Sequence, residues 1–168
     1  MIEDKPTQPG FDEVVTRYYQ PLYQFAYSLA RAEADACDLT QQTFYIWARK
    51  GHQLRDHAKI KTWLFTTLYR EFLKTTRHNG RFPHDELDPN APDLPAITAD
   101  AIRRLEVATL MQALTEVDEV YRVPLALFYL EDNSYKEIAE ILAIPIGTVQ
   151  SRIARGKAQL QQRLRAHE

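Results

Sequence analysis

The chain of 168 residues is poor in cysteine and has no long apolar run. Its single cysteine, Cys37, excludes an intramolecular disulfide framework and a cysteine-based zinc cluster. The longest apolar stretch, residues 123–130, is far shorter than the roughly 18 residues needed to span a bilayer. The first ten residues are acidic and polar and show no secretory signal. We therefore expect a soluble, cytoplasmic protein without a membrane segment of its own.

Residue patterns typical of catalysis and metal binding are also lacking. No glycine-rich phosphate loop occurs, and Cys37 has no partner base in a recognisable motif. The five histidines lie without metal-ligand spacing, at His52, His57, His78, His84 and His167. We expect no enzymatic activity, no catalytic residue, no metal and no cofactor.

Charge is strongly segregated, although the net charge of the chain is only −2. Residues 49–81 carry nine basic and two acidic side chains, and residues 141–168 carry five and one. The segment between them that covers residues 82–100 has five acidic side chains and no basic one. Two basic blocks on one chain indicate two contact surfaces for a polyanion.

Apolar residues recur at three- and four-residue spacing, which predicts helices throughout, and only five glycines interrupt the chain. In the first half we expect Pro21 to kink a helix or to begin a new one. A second helix is predicted to start near Asp35, whose side chain would cap it, and to end at Gly51. A third is predicted from about Ile60.

Four prolines within residues 82–100 forbid a continuous helix there. The fold class predicted is therefore all-α, with two small helical domains joined by a flexible linker. The predicted boundaries are an N-terminal tail at 1–10, a first domain at 11–81, an acidic Pro-rich linker at 82–102 and a second domain at 103–168. We expect the two domains to be tethered loosely, with their basic faces, including Arg152 and Arg155, turned outward.

The second domain carries the pattern of a helix-turn-helix. Ser134 and Glu137 have the spacing of a capping box, Ala139 is small enough for a close helix crossing, and Pro145 separates two helices. The second helix presents a polar face suited to a DNA major groove. That face consists of Thr148, Ser151, Arg152, Arg155 and Gln159.

The block YKEIAEILAIPIGTVQSRIARGKAQL resembles the region 4 helix-turn-helix of bacterial sigma factors of the extracytoplasmic-function (ECF) group of the sigma-70 family. The segments DLTQQTFYIWARK and KIKTWLFTTLYREFLKTTR are similar to regions 2.2 and 2.3–2.4 of the same group. The resemblance implies a factor that binds core RNA polymerase and directs promoter-specific initiation by recognising the −35 element and melting the −10 element.

The resemblance also implies roles for individual residues. Recognition of the −35 element falls to Thr148, Gln150, Ser151, Arg152, Arg155 and Lys157. Binding of the −10 element, including capture of an unstacked base by the loop 51–59, falls to Arg55, Lys59, Lys61, Trp63, Arg70 and Lys74. Binding of the polymerase β′ coiled coil falls to Asp38, Gln41, Gln42 and Phe44.

Further partners implied by the resemblance are the polymerase β flap, promoter DNA and an anti-sigma factor. Relatives commonly have glycine where Ala143 stands. A left-handed backbone at that position would cost alanine about 1 kcal/mol.

Two other functions are compatible with the sequence. One is a DNA-binding regulator that dimerises on a palindromic site without polymerase. The other is a helical adaptor with no role in nucleic-acid binding.

Overall fold

A computed structural model describes residues 7–78 and 106–166 of the chain. Within these ranges it contains seven α-helices and no strand, which confirms the all-α prediction. The predicted linker at 82–102 lies within residues 79–105, which are outside the described residues. The helices are α1 (Phe11–Ala30), α2 (Glu33–Lys50), α3 (Ile60–His78), α4 (Val107–Thr115), α5 (Glu119–Tyr129), α6 (Tyr135–Leu142) and α7 (Ile146–Ala166).

The first half is a bundle of α1, α2 and α3. Phe25 of α1 and Phe65 of α3 are fully buried with their ring centroids 5.4 Å apart. Pro21 lies inside α1, so it does not begin a new helix, and its missing N–H removes one bond of the helical ladder. Helix α2 starts near Asp35, as predicted, but the predicted capping role of Asp35 was wrong. The helix begins at Glu33 after Ala32, which supplies no side-chain cap, and Asp35 lies in its first turn, where a carboxylate favours the helix dipole.

The second half contains α4 to α7, and α6 and α7 form the predicted helix-turn-helix. The Ser134 hydroxyl accepts a hydrogen bond from the Glu137 amide at 3.1 Å, as the capping-box spacing predicts. Ala143 ends α6 in the left-handed conformation, with φ 55° and ψ 45°. Because that conformation penalises a Cβ atom, Ala143 carries the local strain considered from the sequence.

The two halves pack directly against each other. Helix α1 contacts α4 and α5, and α3 contacts α6, so the buried apolar side chains of both halves form one continuous cluster. The sequence predicted two loosely tethered domains without such a contact. That prediction was based on the proline-rich segment. Prolines show where helices stop, but they do not show which helix faces pack together.

None of the described helices combines the length and the apolar character required to cross a membrane.

Gly156 allows the close approach of α7 to α5. A Cβ atom built there would lie 2.7 Å from Leu125 Cδ1 and 3.0 Å from Tyr121 Cβ. We expect Gly156→Ala to lower the free energy of unfolding by about 1–3 kcal/mol, because the fully buried Leu125 side chain must shift away from the added methyl group. Chemical denaturation followed by circular dichroism measures this change. Gly147→Ala is the matched control, since nothing lies within 4 Å of its added Cβ; an equal loss in the control would contradict the packing argument.

Candidate nucleic-acid interface

The polar face of α7 is only partly open to solvent. Gln150 and Ser151 are exposed near its N-terminus, and the Ser151 hydroxyl donates to the Thr148 carbonyl at 3.0 Å. Thr148 and Arg155 are half-buried. Gln159, predicted on the same face, instead bonds Asp118: its Oε1 accepts from the Asp118 amide at 3.1 Å and its Nε2 donates to Asp118 Oδ2 at 2.8 Å. Gln159 therefore anchors the start of α5 rather than facing a groove.

Arg152 does not face outward as the sequence led us to expect. It is half-buried and lines a cavity of about 60 Å³ together with Tyr69 and Leu73 of α3. Burial raises the pKa of the Tyr69 hydroxyl, and the nearby positive charge of Arg152 opposes that rise. Arg152, which was predicted to contact the −35 element, therefore lies where the second half packs against the first; we call this contact the junction.

Lys61, predicted to bind the −10 element, lies at the same junction. It is half-buried, and its Nζ donates to the Glu131 carbonyl of the second half at 2.5 Å. The remaining predicted cations of the first half are exposed: Arg55, Lys59, Arg70 and Lys74. Of these, Lys74 forms an ion pair with Glu71 at 2.8 Å, a surface pair of little energetic weight.

The loop between α2 and α3 is built from two 3-10 turns, Gly51–Gln53 and His57–Lys59. Asp56 caps the second turn, because its Oδ1 accepts from the Ala58 amide at 3.0 Å. Trp63 follows the loop half-buried, with its ring edge-to-face on Trp47 at 5.2 Å between centroids. A cavity of about 250 Å³ opens where the loop meets α1, lined in part by Tyr18, His57 and Ile60.

The predicted polymerase-binding residues of α2 divide into two groups. Asp38, Gln41 and Gln42 are exposed on one face of the helix. Phe44 is only 6% exposed and stacks on Tyr19, so in this structure it supports the helix from inside.

Two further residues on the exposed face of α2 escaped the sequence analysis. Tyr45 is 55% exposed, and the Arg49 guanidinium lies 5.6 Å above its ring. Tyr45 follows Gln41 by four residues and Arg49 follows Tyr45 by four, and this spacing was the signal that could have identified them.

A groove of about 730 Å³ runs along the ends of α2 and α3 and is walled by α5. Asp38 and Gln42 line its first-half side, and Glu119 and Arg122 line its second-half side. The surface predicted to meet polymerase is therefore bordered by the helix-turn-helix half.

Metal ligands are not grouped in the parts of the chain the structure describes: there, no three histidine, cysteine or acidic side chains come together in a way that could hold an ion.

Glu131 follows α5 and is buried to 5% exposure. Burial raises the pKa of its carboxyl from 4.5 to about 8; the positive charge of Lys61 opposes this shift, and the carboxylate of Asp132 adds to it. The carboxyl is therefore protonated in the folded chain at neutral pH, although it ionises in the unfolded chain.

This shift makes stability depend on pH. The folded chain holds the Glu131 proton more tightly than the unfolded chain does. The stabilising contribution of this carboxyl is therefore fully present below about pH 4.5 and is lost as the pH rises to about 8. The slope of this single contribution is about 1.4 kcal/mol per pH unit. We expect Glu131→Gln to remove this pH dependence. In denaturation experiments the free energy of unfolding of the variant should therefore rise steadily relative to that of the parent between pH 5 and 8. Glu140→Gln, at an exposed position of α6, is the control. If the difference in free energy of unfolding between Glu131→Gln and the parent did not vary with pH, the assignment would be refuted.

Taken together, the fold and the basic faces define a two-part helical DNA-binding protein with a helix-turn-helix in its second half. Residues 14–82 match the family described as Sigma-70 region 2, and residues 108–160 match Sigma-70, region 4. The chain belongs to the sigma-70 family of RNA polymerase sigma factors, in its ECF group.

Individual relatives agree with this assignment. The chain is 32% identical over 169 residues to the ECF RNA polymerase sigma factor SigE of Mycolicibacterium smegmatis, covering 98% of this chain but 65% of that protein. It is 29% identical over 174 residues to the ECF sigma factor SigW of Bacillus subtilis, covering 96% of this chain and 92% of that one.

Solved structures show the same fold. The sigma factor RpoE of Bartonella quintana, crystallised with the anti-sigma factor NepR, superposes with a TM-score of 0.71 at 25% identity over 94% of this chain and 98% of that one. CnrH, solved in complex with the cytosolic domain of CnrY, superposes with a TM-score of 0.66 at 25% identity over 97% and 92% of the two chains.

Proposed function

We propose that this chain binds core RNA polymerase through the exposed face of α2 and carries it to promoters, reading the −35 duplex with α7 and the melted −10 strand with the loop 51–59 and α3. The observation that carries the proposal is the presence, on one chain, of a capped helix-turn-helix with a polar recognition helix and a separate basic surface next to α3. As an initiation factor the chain acts in the cytoplasm and leaves RNA synthesis to polymerase.

The −35 reading rests on the placement of α7. Recognition helices contact base edges with the residues near their N-terminus. Gln150 and Ser151 hold that place in the structure and are exposed. Arg155 and Lys157 lie about one turn or more further along the helix, where side chains reach phosphates. The Lys157 Nζ atom lies 6.0 Å from the centroid of the Phe128 ring.

The −10 reading rests on the loop and its flanking cations. Arg55 and Lys59 are exposed on the loop, and Arg70 and Lys74 are exposed along α3. Holding a base out of the stack costs a few kcal/mol, which stacking and phosphate contacts must offset. The cavity of about 250 Å³ lined by Tyr18 and His57 opens beside the loop and offers a place for such a base.

An anti-sigma factor is a further proposed partner. Its support is that the sigma factor RpoE, which shares this fold, was solved in complex with the anti-sigma factor NepR. CnrH, which also shares the fold, was solved in complex with the cytosolic domain of CnrY.

Substitutions on α7 separate the two kinds of DNA contact. We expect Gln150→Ala to change which promoters are chosen in run-off transcription from a genomic fragment library with core polymerase, because it removes a base contact worth about 1–3 kcal/mol. Arg155→Ala is expected to weaken all promoters alike and to reduce the salt slope of binding by about one.

The control for these two variants is Gln162→Ala, which changes an exposed amide later on α7. Sequence-selective DNA binding as a dimer without polymerase, with no polymerase-dependent transcription, would instead identify an ordinary repressor or activator.

Polymerase binding is tested on α2. We expect Asp38→Ala to reduce affinity for core polymerase by roughly tenfold at low salt and by less at high salt, since an exposed interface charge is screened by ions. Titration of fluorescently labelled protein with core enzyme measures this. Asp12→Ala removes an exposed carboxylate from the first turn of α1 and serves as the control. Equal affinities for the two variants would place the polymerase surface elsewhere.

A further inference from the structure

The segment 7–10, which precedes α1, is tied to the loop between α2 and α3 by one side chain. Gln8 is half-buried, and its Nε2 donates to the Gly51 carbonyl at 3.0 Å, across 43 positions of the sequence. The same carbonyl accepts from the Leu54 amide at 3.1 Å, a bond that closes the first 3-10 turn of the loop. Because a carbonyl oxygen has two lone pairs, Gln8 completes the bonding of the oxygen on which this turn is built.

Gly51 is also held from the side of the core. The residue is buried, and a Cβ atom built on it would lie 2.6 Å from Trp47 Cδ2, which is closer than side chains pack. Trp47 in turn meets the ring of Trp63, near the start of α3, edge to face. The first turn of the loop is therefore fixed between buried aromatic rings on one side and Gln8 on the other.

The segment 7–10 also lines the cavity that the proposed function assigns to an unstacked base. Thr7 and Pro9, on either side of Gln8, border this space of about 250 Å³ together with Tyr18 of α1 and His57 of the loop. Pro9 is half-buried, and its ring fixes the backbone φ angle. The cavity therefore has walls from the segment, from α1 and from the loop, and Gln8 joins the segment to the loop.

We propose that residues 7–10 are part of the site that captures an unstacked base of the melted −10 strand, and that Gln8 is a positioning residue of this site. The inference rests on the proposed function, because that function places a base in the cavity. The ligand is a planar nucleobase, for which the rings of Tyr18 and His57 provide stacking partners. Gln8 does not touch the base: it acts through the Gly51 carbonyl by holding the segment and the loop together.

A site that is formed before DNA arrives binds its ligand more tightly than one that must be ordered. A base that enters a preformed cavity does not bear the entropy cost of fixing the walls. The hydrogen bond of Gln8 fixes the loop, and the ring of Pro9 stiffens the segment. Loss of the Gln8 donor therefore weakens capture of the base, while the helices and their core stay intact.

The first experiment measures how strongly binding depends on each base of the −10 strand. Holoenzyme assembled from core polymerase and the full chain is titrated against a fluorescently labelled single strand, taken from a promoter that it transcribes. Each base of the −10 element is replaced in turn by an abasic site, and affinity is measured by fluorescence anisotropy. For the parent we expect a loss of about tenfold at the captured position, as stacking of one base provides.

Gln8→Met keeps the length of the side chain and removes the donor. We expect this variant to bind the intact strand about fivefold more weakly than the parent does, because one neutral hydrogen bond is lost. Removal of the captured base should then cost the variant only about twofold more. On the abasic strand the parent and the variant should bind equally, since Gln8 contributes only through the base.

Two variants control for other effects of the substitution. Gln20→Met changes an exposed amide of α1 and should keep the parent's dependence on the captured base. Gln8→Lys returns a donor of comparable reach. Its added charge raises affinity for every strand alike, whereas only a restored hydrogen bond to Gly51 restores the dependence on one base. We expect that dependence to return close to the parent's.

The second experiment measures the tie between segment and loop without DNA. In the free chain, hydrogen exchange of the Leu54 amide reports on the turn that the Gly51 carbonyl closes. We expect exchange about fivefold faster in Gln8→Met, because one neutral hydrogen bond no longer holds that carbonyl, and parent-like exchange in Gln20→Met. Circular dichroism should show the same helix content in all variants.

The outcomes separate this inference from the proposed function. Full dependence on the captured base in Gln8→Met, or unchanged exchange of its Leu54 amide, would overturn the inference and leave the proposed function standing. A loss of base dependence in Gln20→Met equal to that in Gln8→Met would also overturn it. Failure of the parent to support transcription with core polymerase would reject the proposed function, and the role of Gln8 in base capture with it.

Discussion

The burial of the Arg122 guanidinium between two helical halves is the constraint on which the arrangement of the chain depends. Its Nε reaches a carbonyl 94 positions away in the sequence, at Ser28. Removing a cation from water is costly, and here the compensation comes from main-chain oxygens rather than from a bonded carboxylate. Because main-chain oxygens are held in place by the helices, these hydrogen bonds make the contact between the two halves specific in geometry.

Two basic residues predicted to bind DNA make contacts within the packed chain. Lys61 donates to the Glu131 carbonyl and Arg152 lies beside Tyr69, whereas the resemblance to sigma factors implies that both bind DNA. Carbonyl oxygens and phosphates both accept hydrogen bonds from cations, so the same side chains can exchange one for the other.

The helix-turn-helix half shows how tightly its local geometry is specified. Gly156 lets α7 approach α5 with no space for a methyl group, and Gln159 fastens the start of α5 through Asp118. Ala143 accepts a left-handed backbone to make the turn. The strain at the turn is small beside the packing that α6 and α7 gain, so alanine is tolerated where glycine would be easier.

Local sequence determined the helices, the Ser134 cap, the end of α2 at Gly51 and the polar face of α7, because periodicity and capping act over a few residues. Exposure of Asp38 and Gln41 on α2 also agrees with helical spacing. Only the tertiary structure decided that Phe44 is buried, that Gln159 bonds Asp118 and that Arg122 and Arg152 lie at a junction. These outcomes depend on which faces meet across distant segments, and helical periodicity shows that a face is apolar or charged without naming its partner.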